Sequence, residues 1–259
     1  MSDTGTSTVI KMGGLGKQFV KDDLGIVALR DFDLEIAEGS FVTVLGRSGC
    51  GKSTMLNLLA GLTPPTWGSV AYRGEPVDGP RTEMGYLTQS DTLMPWRDVR
   101  RNVELPMEIG GMPAARRRER AAELIGKVGL DGFEKHYPRE LSGGMRRRVS
   151  LARMLAGDPE TLLMDEPFGA LDAQLRGDLQ AELLRLWTES GQTVVFVTHD
   201  IEEALLLGDR VVVLGRVGRI VLDRAIELPR PRDADELRVD PHFVALHREL
   251  TEALREGAR

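Results

Sequence analysis

The feature that most constrains the fold is a glycine-rich segment, residues 46–54, which lies between an apolar run and a helical pattern. The preceding residues 41–45 are nearly all apolar, as expected of a strand that is covered on both faces. Gly61 is a typical helix stop, and it follows four apolar residues at helical spacing, Met55, Leu56, Leu58 and Leu59. We therefore predict a strand, a tight loop and a helix in an α/β protein.

The side chains and glycines of this loop suit a phosphate ligand. In order they are Gly46, Arg47, Ser48, Gly49, Cys50, Gly51, Lys52, Ser53 and Thr54. Glycines let the backbone fold tightly, so that successive N–H groups and the helix N-terminus point at an anion. We expect Lys52 to reach the β- and γ-phosphates of a nucleotide, Ser53 to bind Mg²⁺ and Thr54 to contact the α-phosphate. Cys50, the only cysteine, is expected to be a small residue facing the loop interior.

A second candidate motif is a pair of acidic residues, Asp165 and Glu166, directly after the apolar residues 161–164. A carboxylate at such a strand end holds Mg²⁺ in many nucleotide-hydrolysing enzymes, and we assign that role to Asp165, directly or through a water. Glu166 would then polarise the attacking water, as a general base or as a water anchor.

Strand and helix patterns alternate in an order typical of a mostly parallel, covered sheet. Short strands with turns are predicted within residues 9–45, where Phe32, Leu34 and Ile36 alternate with charged residues. Residues 93–156 carry helical patterns, which we interpret as a helical subdomain inserted between strands. Further strands and helices are predicted at residues 69–73, 84–87, 116–128, 143–155, 161–164, 173–189, 193–198 and 210–214. After a break at residues 229–231, Asp240 and Pro241 begin a helix, and packing on its own domain is favoured over partner binding.

Composition excludes several classes of protein. The net charge of −6 is a poor match for nucleic-acid binding, and the basic run at residues 116–120 is interpreted as a solvated helix face. Residues 1–6 lack a basic and apolar leader, so no signal peptide is expected. No uncharged apolar stretch reaches about 18 residues, so no transmembrane helix is expected. We therefore expect a chain in the cytosol or on the cytosolic side of a membrane.

Several further motifs, taken with the phosphate loop, resemble those of ABC-type ATPases. Residues 141–145, with Ser142, Gly143 and Gly144, are similar to the signature motif of that family. The remaining motif residues follow the family's order over residues 9–225. Phe19 resembles the aromatic residue that stacks on adenine, and Gln89 resembles the Q-loop glutamine. Asp172, in residues 170–172, resembles the D-loop aspartate, and His199 resembles the switch histidine.

The resemblance implies an α/β P-loop NTPase fold with a mostly parallel core sheet, an antiparallel β part at the N-terminus and an inserted helical subdomain. Residues 1–228 would form the ATPase domain, with its core at about 9–89 and 157–228 and the helical subdomain at about 90–156. Residues 229–259 would form a C-terminal helical tail.

The resemblance also implies a head-to-tail dimer that holds ATP and Mg²⁺ between one phosphate loop and the opposite signature motif. Ser142, Gly143 and Gly144 would then contact the γ-phosphate of the partner protomer's ATP. Glu166, His199 and Gln89 would be catalytic, Gln89 would also lie at the metal, and Asp172 would cross the interface. The sequence does not decide between a homodimer, which we favour, and a heterodimer.

Three less specific segments resemble the nitrate, sulfonate and taurine import branch of the family: residues 92–96, 165–172 and 228–232. The branch implies a transmembrane permease that docks near residues 89–97, an extracytoplasmic solute-binding protein, and a peripheral position on the cytoplasmic face of the membrane. In this segment Leu93, Met94 and Trp96 are expected to be exposed and to form an interface, and the alternative for Trp96 is burial against the helical subdomain. The alternative functions are the ATPase of an exporter or lipid-transport complex and a soluble ABC ATPase.

Three residues depart from the family pattern: Thr88, Asp98 and Arg147. Arg147 stands where the family usually has Gln, so it places a cation near the signature motif. It either strengthens a phosphate contact in the partner's site or is a surface replacement, and we favour the latter. None of the three removes a catalytic group, so an active ATPase is expected.

Overall fold

The computed structural model describes residues 7–21, 24–169 and 171–258, apart from the side chains of Lys21 and Asp235. It divides into two compact units, the first comprising Met1–Arg81 and Gly191–Arg259 and the second Thr82–Ser190. Residues 1–6, which the expectation about a signal peptide concerns, lie outside the described residues. Ala170 of the D-loop motif also lies outside them. The domain bounds given above stay a prediction.

The strands and helices of the described residues are numbered in chain order. The strands are β1 (Thr8–Lys21), β2 (Leu24–Ala37), β3 (Phe41–Gly46), β4 (Trp67–Tyr72), β5 (Glu75–Pro76), β6 (Met84–Leu87), β7 (Thr161–Asp165), β8 (Thr193–Thr198), β9 (Arg210–Leu214) and β10 (Ile220–Ala225). The helices are α1 (Lys52–Leu59), α2 (Val99–Ile109), α3 (Ala114–Lys127), α4 (Gly143–Ala156), α5 (Ala173–Ser190), α6 (Ile201–Leu207), α7 (Ala234–Leu237) and α8 (Pro241–Glu256).

The first unit contains an antiparallel sheet in the order β2-β1-β4-β5. Phe32, Leu34 and Ile36 are buried and alternate with exposed residues along β2, as their spacing predicted. The prediction of short strands was wrong, because β1 and β2 each run for 14 residues. Shifts of register along the β1–β2 pair let strands of this length twist without losing their pairing.

The parallel strands of the first unit bring two candidate motifs to one edge. Strand β3 pairs in parallel with β8 on one side and with β9 on the other. All residues of β3 and β8 are buried, as expected of strands covered on both faces. Leu45 is the register partner of Thr198, so the loop that begins at Gly46 and the residue His199 leave neighbouring strands at the same sheet edge.

The second unit repeats this arrangement with the parallel pair β6 and β7. Leu87 is the register partner of Met164, so the chain after β6, which leads to Gln89, lies beside Asp165 at the end of β7. Helices α2, α3 and α4 of this unit pack on one another. The sequence patterns did not predict α2, whose N-cap is Asp98: its side chain accepts a hydrogen bond of 2.7 Å from the Arg101 N–H.

The C-terminal helix α8 packs on the first unit, as favoured from the sequence. Asp240 is its N-cap and accepts hydrogen bonds from the N–H groups of His242 and Phe243. Phe243, Leu246 and Leu250 join a buried cluster with Leu45, Val213 and other residues, against which the partly buried Leu254 also packs. The apolar stripe of this helix is therefore used within the chain.

Two arginines after β10 close the C-terminal end of α6. The Arg232 side chain is only 1% exposed, and its guanidinium donates hydrogen bonds to the carbonyl oxygens of Leu205 at 2.9 Å and Gly208 at 2.6 Å. Arg230 donates to the carbonyl oxygen of Leu207 at 2.6 Å and to the Asp209 carboxylate at 2.7 Å. Burial lowers the pKa of Arg232 to about 10, which still leaves the guanidinium charged at neutral pH. A cation suits this position, because the last carbonyls of a helix carry partial negative charge.

Candidate functional site

The phosphate loop adopts the strand–loop–helix form that its sequence predicted. Gly49 and Gly51 have φ angles of +82° and +111°, which side chains rarely tolerate. A Cβ on Gly51 would also lie 2.7 Å from the carbonyl oxygen of Ala28, so glycine is required there. Helix α1 begins at Lys52 without a side-chain cap at its N-terminus. Its first N–H groups are therefore suited to an anion.

Within this loop, the exposure to solvent differs among Lys52, Ser53 and Cys50. The Lys52 side chain is buried, and its ammonium donates to the carbonyl oxygens of Gly46 at 2.6 Å and Arg47 at 3.2 Å. Ser53 is exposed, so its hydroxyl is accessible to a ligand. Cys50 is buried, with its Sγ only 2.6 Å from where a Cβ on Gly46 would lie. This confirms a small residue packed into the loop.

The residues around His199 form a hydrogen-bonded turn between β8 and α6. The Thr198 hydroxyl donates a short hydrogen bond to the buried carboxylate of Glu203. Thr198 Oγ1 also accepts from the Asp200 N–H at 3.0 Å, and the Asp200 side chain caps α6 by accepting from the Glu203 N–H at 3.1 Å. These contacts fix the backbone on both sides of His199. The sequence reasoning missed Thr198 and Glu203, although a Glu in an otherwise apolar helix face was a signal.

Asp165 and Glu166 lie at the carboxyl end of β7. Asp165 is buried, and Glu166 is half-buried with a φ angle of +44°. A non-glycine residue in the left-handed region costs about 1–2 kcal/mol and persists only where neighbours hold it. Nearby, burial and the charge of Asp165 raise the pKa of the Tyr86 phenol, which is therefore neutral at physiological pH.

Arg147 holds the backbone around these residues, and the favoured interpretation of it as a surface replacement was wrong. It is 7% exposed, and its guanidinium is directed at backbone carbonyls. Its Nε donates to the carbonyl oxygen of Pro167 at 2.6 Å, Nη2 to that of Asp165 at 3.2 Å, and Nη1 to those of Thr88 and Gln89. Burial lowers its pKa to about 10, while the charge of Asp165 acts in the opposite direction.

The signature motif is an exposed helix N-terminus. Ser142 is the N-cap of α4 and accepts a hydrogen bond of 3.2 Å from the Met145 N–H. Ser142 and Gly143 are exposed, whereas Gly144 packs so closely that an added Cβ would lie 2.5 Å from the Leu175 side chain. Asp172 is exposed and accepts a hydrogen bond of 3.0 Å from the Leu175 N–H, so it caps the N-terminus of α5.

Phe19 and Gln89 are both exposed on their own units. The Phe19 ring lies on β1 with the Lys17 ammonium 5.4 Å from its centroid, and 44% of the residue is accessible to solvent. Gln89 is exposed directly after the strand β6 and Thr88. Both side chains are accessible to a ligand, as their expected roles require.

The exposure of the segment after Gln89 differs in part from what the sequence predicted. Leu93 is buried and Met94 is half-buried, so the expectation that both are exposed was wrong. The side chain of Asn102 explains this, because it bonds to both the N–H and the carbonyl oxygen of Met94 and holds the segment against α2. Trp96 is 70% exposed, which rules out the alternative that it is buried in the helical subdomain.

The described residues contain no group of three or more His, Cys, Asp or Glu that could hold a metal ion. Mg²⁺ at a nucleotide needs no such group, because phosphates and waters supply most of its ligands. The exposed hydroxyl of Ser53 and the carboxylate of Asp165 are suitable oxygen donors. None of the described helices has the length and apolar character needed to cross a membrane.

Sequence comparisons identify similar proteins along nearly the whole chain. A sequence model of the family described as ABC transporter matches residues 29–169. An uncharacterized ABC transporter ATP-binding protein of Methanocaldococcus jannaschii is 47% identical over 248 residues, which cover 95% of this chain and 91% of that protein. A taurine import ATP-binding protein of Yersinia pestis is 44% identical, covering 85% of this chain and 89% of that protein. A nitrate import ATP-binding protein of Synechococcus elongatus is also 44% identical, but the match covers 90% of this chain and 36% of that protein.

Solved structures with the same fold include a dimeric ATP-binding cassette in a post-hydrolysis state, bound to ADP and Pi. It is 35% identical, with a TM-score of 0.79, and the match covers 85% of this chain and 100% of that chain. A second dimeric structure, described as a bacterial ABC transporter cassette, has the same TM-score of 0.79 at 36% identity. The likeness therefore extends from the motifs to the arrangement of strands and helices.

Proposed function

The chain belongs to the ABC transporter family of ATP-binding proteins, and on that premise we propose that it powers the import of a small solute through a membrane permease. As a member of this family it binds ATP and hydrolyses it. The proposal goes beyond ATP hydrolysis in three respects: the direction of transport, which is import, the permease partner and the identity of the solute.

The phosphate loop provides the nucleotide site. The N–H groups at the start of α1, together with the Lys52 ammonium, bind the phosphates, and Ser53 and Asp165 are the protein ligands of Mg²⁺. The Phe19 ring stacks on the adenine. Gln89, Glu166 and His199 act on the attacking water and the γ-phosphate. These roles rest on the order of the motifs, and the burial and exposure of each side chain described above support them.

Two protomers bind ATP between them. The exposed Ser142 and Gly143 at the N-terminus of α4 present a hydroxyl and N–H groups, which suit the γ-phosphate of a partner's ATP. Asp172 lies at the same interface. ATP then stabilises the dimer in proportion to its affinity for the closed form. The similar cassette bound to ADP and Pi is dimeric, which supports this part of the proposal.

The observation that carries the import proposal is the exposed Trp96 in a segment that follows Gln89. A tryptophan that is 70% exposed beside charged residues is typical of a protein interface. Here the permease docks, on the cytoplasmic face of the membrane, and an extracytoplasmic solute-binding protein completes the complex. Taurine and nitrate import proteins are among the similar relatives, and they favour import of nitrate, a sulfonate, taurine or a similar small solute.

The experiment that tests this proposal is capture of the tagged chain from detergent-solubilised membranes of its own cells, with partners identified by mass spectrometry. We expect to recover a polytopic permease that is encoded together with a solute-binding protein. A permease that is not encoded together with a solute-binding protein would favour an exporter or lipid-transport complex. Ribosomes or DNA, recovered with an active ATPase, would favour a soluble ABC ATPase and refute docking at Trp96.

A further inference from the structure

The guanidinium of Arg147 contacts four backbone carbonyls from two segments of the second unit. Its four hydrogen bonds go to backbone carbonyls at the ends of two neighbouring parallel strands, β6 and β7. Those ends carry Gln89, Asp165 and Glu166. The planar guanidinium has five donors in a fixed arrangement, so one side chain can hold several carbonyls at fixed distances from one another.

The bonds on the β7 side enclose Glu166. The carbonyl before it, of Asp165, and the carbonyl after it, of Pro167, both accept from Arg147. Glu166 itself has a left-handed backbone, with a φ of +44°. Such a conformation needs support from outside the turn. Arg147 provides that support on both sides, and its own burial prevents it from moving away.

The bonds on the β6 side reach the start of the Q-loop. The carbonyl oxygens of Thr88 and Gln89 both accept from Nη1, so the backbone from which the Gln89 side chain leaves is tied to the same guanidinium. Arg147 also lies on α4, five residues after Ser142. One side chain therefore joins the signature helix to the strand ends that carry Gln89 and Glu166.

We propose that Arg147 is a positioning residue for ATP hydrolysis, which fixes the backbone on both sides of Glu166 and at Gln89 without touching the nucleotide. This inference rests on the roles proposed above for Glu166 and Gln89. Glutamine, the usual residue of the family here, has one amide NH₂ and cannot bond four carbonyls at once. In this chain the two strand ends are therefore held together by a guanidinium, in a way that a glutamine could not reproduce.

The test is the R147Q variant of the full chain, measured for turnover and for the affinity and stoichiometry of ATP binding. We expect kcat to fall on the order of 10-fold, since small displacements of a catalytic group reduce turnover steeply. ATP affinity and the number of sites per protomer should stay within about twofold, because the four hydrogen bonds of Arg147 go to backbone carbonyls at the ends of β6 and β7. R147K, which has a single ammonium, should show an intermediate kcat. It provides the test of the proposal if R147Q does not fold. R185Q removes an exposed arginine from α5 and is the matched control.

A double-mutant cycle with E166Q distinguishes positioning from general destabilisation. If Arg147 acts mainly through Glu166, adding R147Q to E166Q should reduce the residual turnover much less than R147Q reduces that of the wild type, and the remaining loss is the effect through Gln89. An equal loss in both backgrounds, a parallel loss of ATP sites, or a kcat of R147Q within twofold of wild type would each overturn the inference while leaving the proposed function intact. Full turnover by E166Q would instead remove the role of Glu166, and the inference with it.

Discussion

The Lys52 ammonium donates a hydrogen bond of 2.6 Å to the carbonyl oxygen of Gly46, so the lysine of the phosphate loop is tied to the first glycine of the same loop. The side chain is buried and also bonds the carbonyl oxygen of Arg47. Its charge is therefore held over the loop by the loop's own backbone. This geometry prepares a cation for a phosphate at little further entropic cost.

Replacing Lys52 by Ala should weaken ATP binding by about 100-fold or more. A hydrogen bond to a charged group contributes about 1.5–3 kcal/mol, and Lys52 is expected to contact two phosphates. The measurement is titration with a fluorescent ATP analogue in the presence of Mg²⁺. K127A removes a partly exposed lysine from α3 and should bind as wild type does. Unchanged affinity in K52A would remove Lys52 from the nucleotide site.

Replacing Glu166 by Gln should slow hydrolysis by about 100-fold or more, because general-base catalysis contributes about 10²–10⁴. ATP binding should persist, so the ATP-bound dimer should accumulate. Light scattering coupled to size-exclusion chromatography at saturating ATP and Mg²⁺ measures that dimer. E119Q alters an exposed glutamate of α3 and should hydrolyse ATP normally. An E166Q protein that stays monomeric would count against the shared nucleotide site.

Replacing Trp96 by Ala should separate docking from hydrolysis. Basal turnover should stay within about twofold, since the side chain is largely in solvent. Loss of an interface tryptophan typically costs at least about 2 kcal/mol, which is about 30-fold in affinity. The amount of permease captured from membranes measures this loss. I109A changes a residue of the same unit that is 77% exposed, and it is the control. Normal capture by W96A would refute the docking site.

Replacing Arg232 by Met should destabilise the chain by about 2–3 kcal/mol, because several buried carbonyls of α6 and its flanking turn lose their donor together. The free energy of urea unfolding measures the change. R238M removes an exposed arginine paired with Glu202 and should cost less than about 1 kcal/mol. Equal stability of the two variants would show that the Arg232 contacts contribute nothing.

Local features of the sequence predicted a large part of this fold. The glycines and Lys52 predicted the loop, because a tight turn around an anion restricts which residues can occupy it. The Asp240-Pro241 pair predicted the start of α8, since capping depends on neighbouring residues alone. The helix α2 was missed, because its pattern is interrupted by Pro106 and by buried polar residues such as Asn102.

The candidate site divides in the same way. By itself the sequence determined the family, the order of the motifs and the residue types that suit phosphate, Mg²⁺ and water, because each motif is contiguous in the chain. Only the tertiary structure decided what Arg147, Leu93 and Arg232 do. The two arginines have partners that are distant in sequence: Arg147, on α4, contacts carbonyls at the ends of two strands, and Arg232 closes a helix that ends at Leu207. From the sequence alone an arginine is expected to lie on the surface. Its burial among carbonyls from several segments arises only when those segments pack together.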